Sequence, residues 1–275
     1  MRSDPRLFIP LAERLADAAR AETLPRFRDG GAIVDKGAVE KHGRAGLFDP
    51  VTEADREGER AIRALIRERH PDHGVVGEEF GAENADAEWR WVLDPVDGTR
   101  AFICGAATWA TLIALEHQGK PVLGVIDQPF TDERWIGGPD GASWRRAGET
   151  RPCRASGAER IAEARISTTD PRDTAYFSAP ESAAFLRLAA ACRVARFSLD
   201  AYAYGLLALG QLDLVVESGL KHHDYAALVP VVGGAGGVIS DWAGAPLGGC
   251  ARGRVVAAAT PKLHDAALSM LADVA

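Results

Sequence analysis

Trp91-Val92-Leu93-Asp94-Pro95-Val96-Asp97-Gly98-Thr99 is the stretch on which the reading of this chain turns. Three apolar residues make a buried strand, and two carboxylates three residues apart follow it directly. A strand end delivers side chains to a fixed place on a rigid scaffold. Pro95 stiffens the turn, so Asp94 and Asp97 can converge on one hard cation. Oxygen donors of this kind suit Mg²⁺, which favours octahedral oxygen coordination with few protein groups, better than zinc. Gly98 lets the backbone approach closely, and a helix beginning at Thr99 would point its N–H groups at an anion. The same residues can also be read as a capped Asp turn that binds nothing.

Outward from this segment, three more acidic stretches sit at junctions of the same kind. Val75-Val76 runs into Gly77-Glu78-Glu79, whose paired glutamates repel unless a cation or hydrogen bonds offset them. Asp49-Pro50-Val51 precedes Thr52-Glu53-Ala54-Asp55, a capping box that opens a helix with Ile62, Leu65 and Ile66 on one face. Asp224 opens an apolar helix after Gly219-Leu220-Lys221-His222-His223. Singly, these are ordinary surface acids, a carboxylate favouring a helix dipole, and an N-cap. Together, four acidic clusters at strand-to-turn or turn-to-helix junctions are how a multi-metal carboxylate site is assembled from distant sequence.

The remaining chain supplies the frame. Asp4-Pro5 reads as a cap and first helical position, and Leu7, Leu11, Leu15 and Ala18 carry a helix to about Arg26. Thr111 to Glu116 and Pro121 to Ile126 flank Gln118-Gly119-Lys120, a hairpin. Arg134 to Ile136 and Ala142 to Arg145 flank a Gly137–Gly141 turn. This first half, residues 1–150, reads as helices on an antiparallel sheet. Residues 151–275 alternate strands with helices, including a helix over Tyr225 to Val232 and a last one from Pro261, which suggests an α/β layer. The boundary is placed in Gly148–Pro152. Gly233-Gly234-Ala235-Gly236-Gly237 lacks the third glycine of a dinucleotide fingerprint, because Ile239 stands there, and reads as tight helix-to-strand packing. Trp89, Trp91, Trp135 and Trp144 are expected in core or interface positions.

Composition excludes several classes. The 275 residues carry 32 basic and 39 acidic side chains, a net charge of −7, against the basic face of a nucleic-acid binder. No apolar run approaches the roughly 18 residues that span a bilayer, and the charged first twenty residues do not read as a signal peptide. Cys104, Cys153, Cys192 and Cys250, scattered with no CxxC, suit reduced thiols in a cytoplasmic protein. Adjacent His222 and His223 point apart on any regular element and are not expected to share a cation.

The four motifs, in this order and over nearly the whole length, resemble the lithium-sensitive inositol monophosphatase superfamily of Mg²⁺-dependent phosphatases. Asp97-Gly98-Thr99-Arg100-Ala101-Phe102-Ile103-Cys104-Gly105 and Asp213-Leu214-Val215-Val216-Glu217-Ser218-Gly219-Leu220-Lys221 with Asp224 resemble its histidinol-phosphate phosphatase branch. Phe197-Ser198-Leu199-Asp200-Ala201 departs from that branch where a Gly-rich turn and an Asp-Cys pair are expected, and His222-His223 replaces a Pro-Tyr pair. The resemblance implies an α+β, layered α/β/α/β/α sugar-phosphatase fold and a homodimer. It implies two or three Mg²⁺ ions held by Glu78, Asp94, the Val96 carbonyl, Asp97 and Asp224, with Asp94 bridging two of them. Asp49 and Glu79 would orient water or a third metal, Thr99 held by Asp49 would help activate the attacking water, and Gly98 and Thr99 amides would hold the phosphate. Glu217, with Asp200 as a second candidate, would contact the substrate ammonium; Lys41, or equally Lys36, would lie near the site. No phosphoenzyme is implied, since a D-x-D-x-T nucleophile needs acids two apart. The expected reaction is hydrolysis of L-histidinol phosphate, with inositol 1-phosphate or a 3′-phosphonucleotide as alternative substrates. A non-catalytic sugar-phosphate-binding protein is the rival from another class.

Overall fold

A computed structural model describes residues 4–35, 39–41, 44–47, 50–248 and 253–274. Asp4 accepts a hydrogen bond from the Arg6 amide, and a 3₁₀ turn over Pro5–Phe8 leads into helix α1 (Ile9–Arg26). Of the residues at helical spacing, Leu11 and Leu15 are buried, while Leu7 is 73% exposed. The tighter first turn points it outward and puts Phe8 in the core instead. Helix α2 (Glu53–Arg69) starts on the capping box, with Asp55 accepting from the Thr52 amide at 2.8 Å and Thr52 accepting from Ala54. Its apolar stripe, Ile62 and Ile66, is fully buried.

These two helices cover one face of an eight-stranded sheet. Its strands run Glu149–Pro152, Gly141–Arg146, Glu133–Gly138, Lys120–Gln128, Ala110–His117, Trp89–Asp97, Gly74–Gly77 and Gly81–Glu83 in spatial order. Gln118 and Gly119 both take positive φ and join His117 to Lys120, a two-residue hairpin turn that matches the strand twist. One pair departs from the antiparallel expectation: Gly74–Gly77 runs parallel to Trp89–Asp97. The chain between them first turns back as Gly81–Glu83 at the sheet edge, then crosses to enter the next strand in the original direction. That crossing matters for the site. Gly77 lies opposite Leu93, so Glu78 and Asp94 leave the sheet side by side.

A second, five-stranded sheet has the order Val194–Phe197, Arg165–Thr168, Leu214–Glu217, Val255–Ala258, Val238–Ser240. The first three strands are parallel and the last two antiparallel. The short α3 (Thr99–Ile103) follows the central strand of the large sheet. Helix α4 (Ala179–Ala191) precedes α5 (Tyr202–Ala208), α6 (His222–Tyr225), α7 (Leu228–Gly234) and α8 (Pro261–Leu271). Helices α5 and α7 pack between the two sheets, and α4 and α8 cover the outer face of the small one. The architecture is the layered α/β/α/β/α arrangement of an α+β fold.

Residue 150 lies within the edge strand of the large sheet, and the central core joins Val92, Leu112 and Ile126 to Leu207, Leu228 and Val255. The single helix expected over Tyr225 to Val232 is broken into α6 and α7. Pro230 has no N–H to return to the carbonyl of Ala226, which removes the bond that would carry α6 onward. The glycine run ends α7 against the sheet, where a Cβ on Gly234 would stand 2.6 Å from the Gly141 carbonyl carbon. Trp91 and Trp135 are fully buried and Trp89 nearly so, while Trp144 is half-buried beneath the Arg151 guanidinium. Cys104, Cys153 and Cys192 are free thiols, and Cys250 lies outside the described residues.

Candidate active site

In a regular strand, residues three apart point to opposite faces. Asp94 and Asp97 nevertheless meet, because the ladder slips between them: Asp94 opposes Leu112 and Asp97 opposes Ala110. The bulge is held by Thr111, whose hydroxyl donates to the Pro95 carbonyl at 2.7 Å. Asp94 is 1% exposed, and one of its oxygens accepts from the Val96 amide. Asp97 accepts from the Ala201 amide at 2.7 Å, which ties the strand end to the start of α5.

Donor atoms of Asp94, Asp97 and Asp224 all lie within 4.8 Å of one another, and so do those of Glu78, Asp94 and His223. Asp94 belongs to both groups. Asp224 stands at the third position of α6 rather than at its cap, and its carboxylate accepts from the Lys221 amide at 2.7 Å. Lys221 Nζ approaches Glu78 at 3.9 Å. Burial, then the charges of Glu78, Asp97, Asp224 and Asp55, drives the Asp94 carboxyl well above the ordinary carboxylate range. Burial, with Asp200 and Asp224, does the same to Asp97 against the opposing Ala201 hydrogen bond. Carboxylates held this close repel one another, and a donor cluster of this spacing is what a divalent cation supplies with charge.

Gly98 takes the left-handed conformation, φ 78°, and a Cβ there would stand 2.9 Å from Asp200 Cβ and Cγ. Only glycine meets both demands. The turn delivers Thr99 to the pocket, where its hydroxyl lies 3.3 Å from Asp55 Oδ1 and 3.1 Å from the Val96 carbonyl. Asp49, the partner expected for Thr99, and the side chains of Lys36 and Lys41 lie outside the described residues. Asp55 is a site residue that the motif reading missed: its capping-box signature accounts for one oxygen and conceals the other.

Glu79 has a side chain 3% exposed, with Arg56 at 4.0 Å. The Glu78-Glu79 turn rests on the buried Glu59, which accepts from the Glu79 and Phe80 amides and pairs with Arg63 at 2.7 Å. The signal for this platform was the i,i+4 spacing of Glu59 and Arg63.

The second sheet contributes the other wall. Its parallel strands end together, so Glu217 meets the two threonines that end and follow Arg165–Thr168. Thr168 and Thr169 hydroxyls donate to Glu217 at 3.0 and 2.9 Å, and the Thr169 amide at 2.7 Å. Burial still pushes Glu217 up to about 8. Asp200 accepts from the Thr108 hydroxyl at 3.0 Å, and burial pushes it up to about 6. Arg100 lies over the Tyr176 ring, 5.1 Å from its centre.

A buried carboxylate pocket built for cations, at the carboxyl ends of strands from two layered sheets, defines a phosphomonoester hydrolase of the metal-dependent kind. Residues 4–274 match the inositol monophosphatase family, and the chain belongs to it. It is 41% identical to a solved inositol monophosphatase from Zymomonas mobilis, with a TM-score of 0.83 over 98% of this chain and all of that one. It is 33% identical to a histidinol-phosphatase from Mycobacterium tuberculosis, over 94% of this chain and 95% of the relative. It is 42% identical to the "Bifunctional phosphatase IMPL2, chloroplastic" of Arabidopsis thaliana over 86% of its length, and spans 65% of that relative. Among the described residues, no helix is long and apolar enough to cross a membrane.

Proposed function

We propose that this chain is a Mg²⁺-dependent phosphomonoesterase whose substrate is L-histidinol phosphate, with water as the nucleophile and L-histidinol and phosphate as products. The observation that carries the catalytic reading is Asp94, buried and shared by two donor groups, each spaced for one cation. The donors fit Mg²⁺. Glu78, Asp94 and the Val96 carbonyl would hold one ion, and Asp94, Asp97 and Asp224 the other. Two Mg²⁺ ions supply positive charge that polarises water and offsets charge on the phosphoryl and leaving oxygens.

The chain's own groups then divide the work. Thr99, with its proton directed to Asp55, presents a lone pair to the attacking water, so the pair accepts the proton that the water gives up. Glu79 orients water, and the same role is proposed for Asp49. Gly98 and Thr99 present amides to the phosphoryl oxygens at the start of α3. Asp200 and Glu217 face the substrate's alcohol portion. An ammonium beside them favours their ionised forms and lowers both pKa values, an interaction that an uncharged polyol does not offer. The histidinol-phosphatase relative, covered almost end to end, supports the same choice.

The Zymomonas mobilis likeness favours inositol 1-phosphate as the second reading. A steady-state panel of L-histidinol phosphate, inositol 1-phosphate and a 3′-phosphonucleotide decides between them. The highest kcat/KM is expected for histidinol phosphate. A preference of about ten-fold or more for either other ester, about 1.4 kcal/mol of transition-state binding, overturns the assignment.

A further inference from the structure

The geometry points to His223 as a nitrogen ligand of the cation site formed by Glu78 and Asp94, one that turns this site's preference from Mg²⁺ towards Mn²⁺, Co²⁺ and Zn²⁺. This rests on the reading of the pocket as a two-cation phosphatase site. Two independent observations carry it. His223 Nε2 is buried and has no hydrogen-bond partner among the described residues. Asp224 Oδ1 lies 3.3 Å from it without the alignment of a hydrogen bond. A buried imidazole nitrogen left without a partner is costly unless something else takes its lone pair. The second observation is position: a ring nitrogen of His223 falls within 4.8 Å of carboxylate oxygens of both Glu78 and Asp94. Ligands of one ion at about 2.1 Å stand up to about 4.2 Å apart, so a side-chain shift of at most about 0.6 Å closes this spacing on one cation.

The local fold explains why His223 enters the pocket and His222 does not. Consecutive residues of α6 point in different directions, and His222 turns away to bond the buried Glu116 at 2.7 Å. Glu116 in turn accepts from Arg90 at 2.8 Å. This anchor fixes the rotation of α6 and aims His223 at Glu78. Imidazole suits borderline transition metals, whereas Mg²⁺ takes oxygen donors and parts reluctantly with water. A single nitrogen in an oxygen cage leaves Mg²⁺ able to bind but favours its competitors.

The test uses the full chain with Mn²⁺ alone, without substrate, read by pulsed EPR. All variants are made in a His70→Gln background, because donor atoms of His70, Asp72 and His73 also cluster elsewhere in the fold and would add their own nitrogen signal. Nitrogen modulation from bound Mn²⁺ is expected with His223 present, absent in His223→Gln, and retained in His117→Gln, whose ring bonds the exposed Glu88 instead. Calorimetric affinities give a second readout, with Mn²⁺-over-Mg²⁺ preference falling about ten-fold in His223→Gln, the size of effect seen when support for a metal is lost. Circular dichroism of each variant establishes that it is folded, and a misfolded His223→Gln is replaced by His223→Tyr with the same expected loss. Mn²⁺ bound at the Asp94 pocket without nitrogen modulation overturns this inference and leaves the phosphatase reading standing. Mn²⁺ binding that is unaffected by Asp94→Asn overturns both.

Discussion

Glu217 ends a strand with 2% of its surface exposed, and three threonine donors do not fully offset its burial. Its carboxyl titrates at about 8 in the fold against an ordinary 4.5. Between those values the unfolded chain has released a proton that the folded chain still holds, so this residue's contribution to stability falls as pH rises through the interval. Glu217→Gln keeps the shape and cannot ionise. In chelator-treated protein, the stability of the variant relative to the native chain should therefore increase between about pH 5 and about pH 8 and then level off. Urea melts at several pH values check it; native and variant curves that stay parallel contradict it. At this scale the sequence shows some placements and hides others. Asp94, Asp97 and Asp224 are legible because a strand end and a helix start place them. The second use of Asp55 is hidden behind its cap, and His223 is hidden because its direction depends on the His222–Glu116 contact, made between residues 106 apart.

Elements were legible wherever a local signal sufficed. The capping box begins α2, Gln118-Gly119 closes the hairpin, and Pro261 begins the last helix, because cap and turn chemistry act over three or four residues. What escaped depends on distant partners: the parallel entry of Trp89–Asp97, the bulge that turns Asp94 and Asp97 to one side, and the break between α6 and α7. The docking of α1 is also non-local. Asp127, fully buried on Lys120–Gln128, accepts from Arg20 of α1 at 2.8 Å and from the equally buried Arg134 at 2.6 Å. Arg134 reaches on to Asp17 at 2.7 Å. Removing one member of a buried pair leaves the other charge without full compensation. Asp127→Ala should thus lower the unfolding free energy by about 3 kcal/mol, measured by guanidinium denaturation. A change below about 0.5 kcal/mol, ordinary for a surface substitution, would show that this staple does not hold α1 to the sheet.

Across the whole molecule, two sheets in five layers bring strand ends from both halves to one pocket, and the motif order along the chain made that layering legible. The net charge of −7 has a local meaning. Glu78, Asp94, Asp97 and Asp224 gather at a point where an anionic ester is to bind, and acids crowded there would repel it. Divalent cations reverse that sign. The same crowding is a stability cost in the metal-free chain, so function and stability oppose each other at Asp94. Phosphate release from L-histidinol phosphate by the native chain and by Asp94→Asn, after chelation and after Mg²⁺ is restored, tests this directly. Chelation should abolish release, Mg²⁺ should restore it in the native chain, and the variant should stay about 10²- to 10³-fold below it, the scale on which electrostatic groups act in catalysis. Release that persists without metal, or a variant that recovers with Mg²⁺ as the native chain does, would contradict the account.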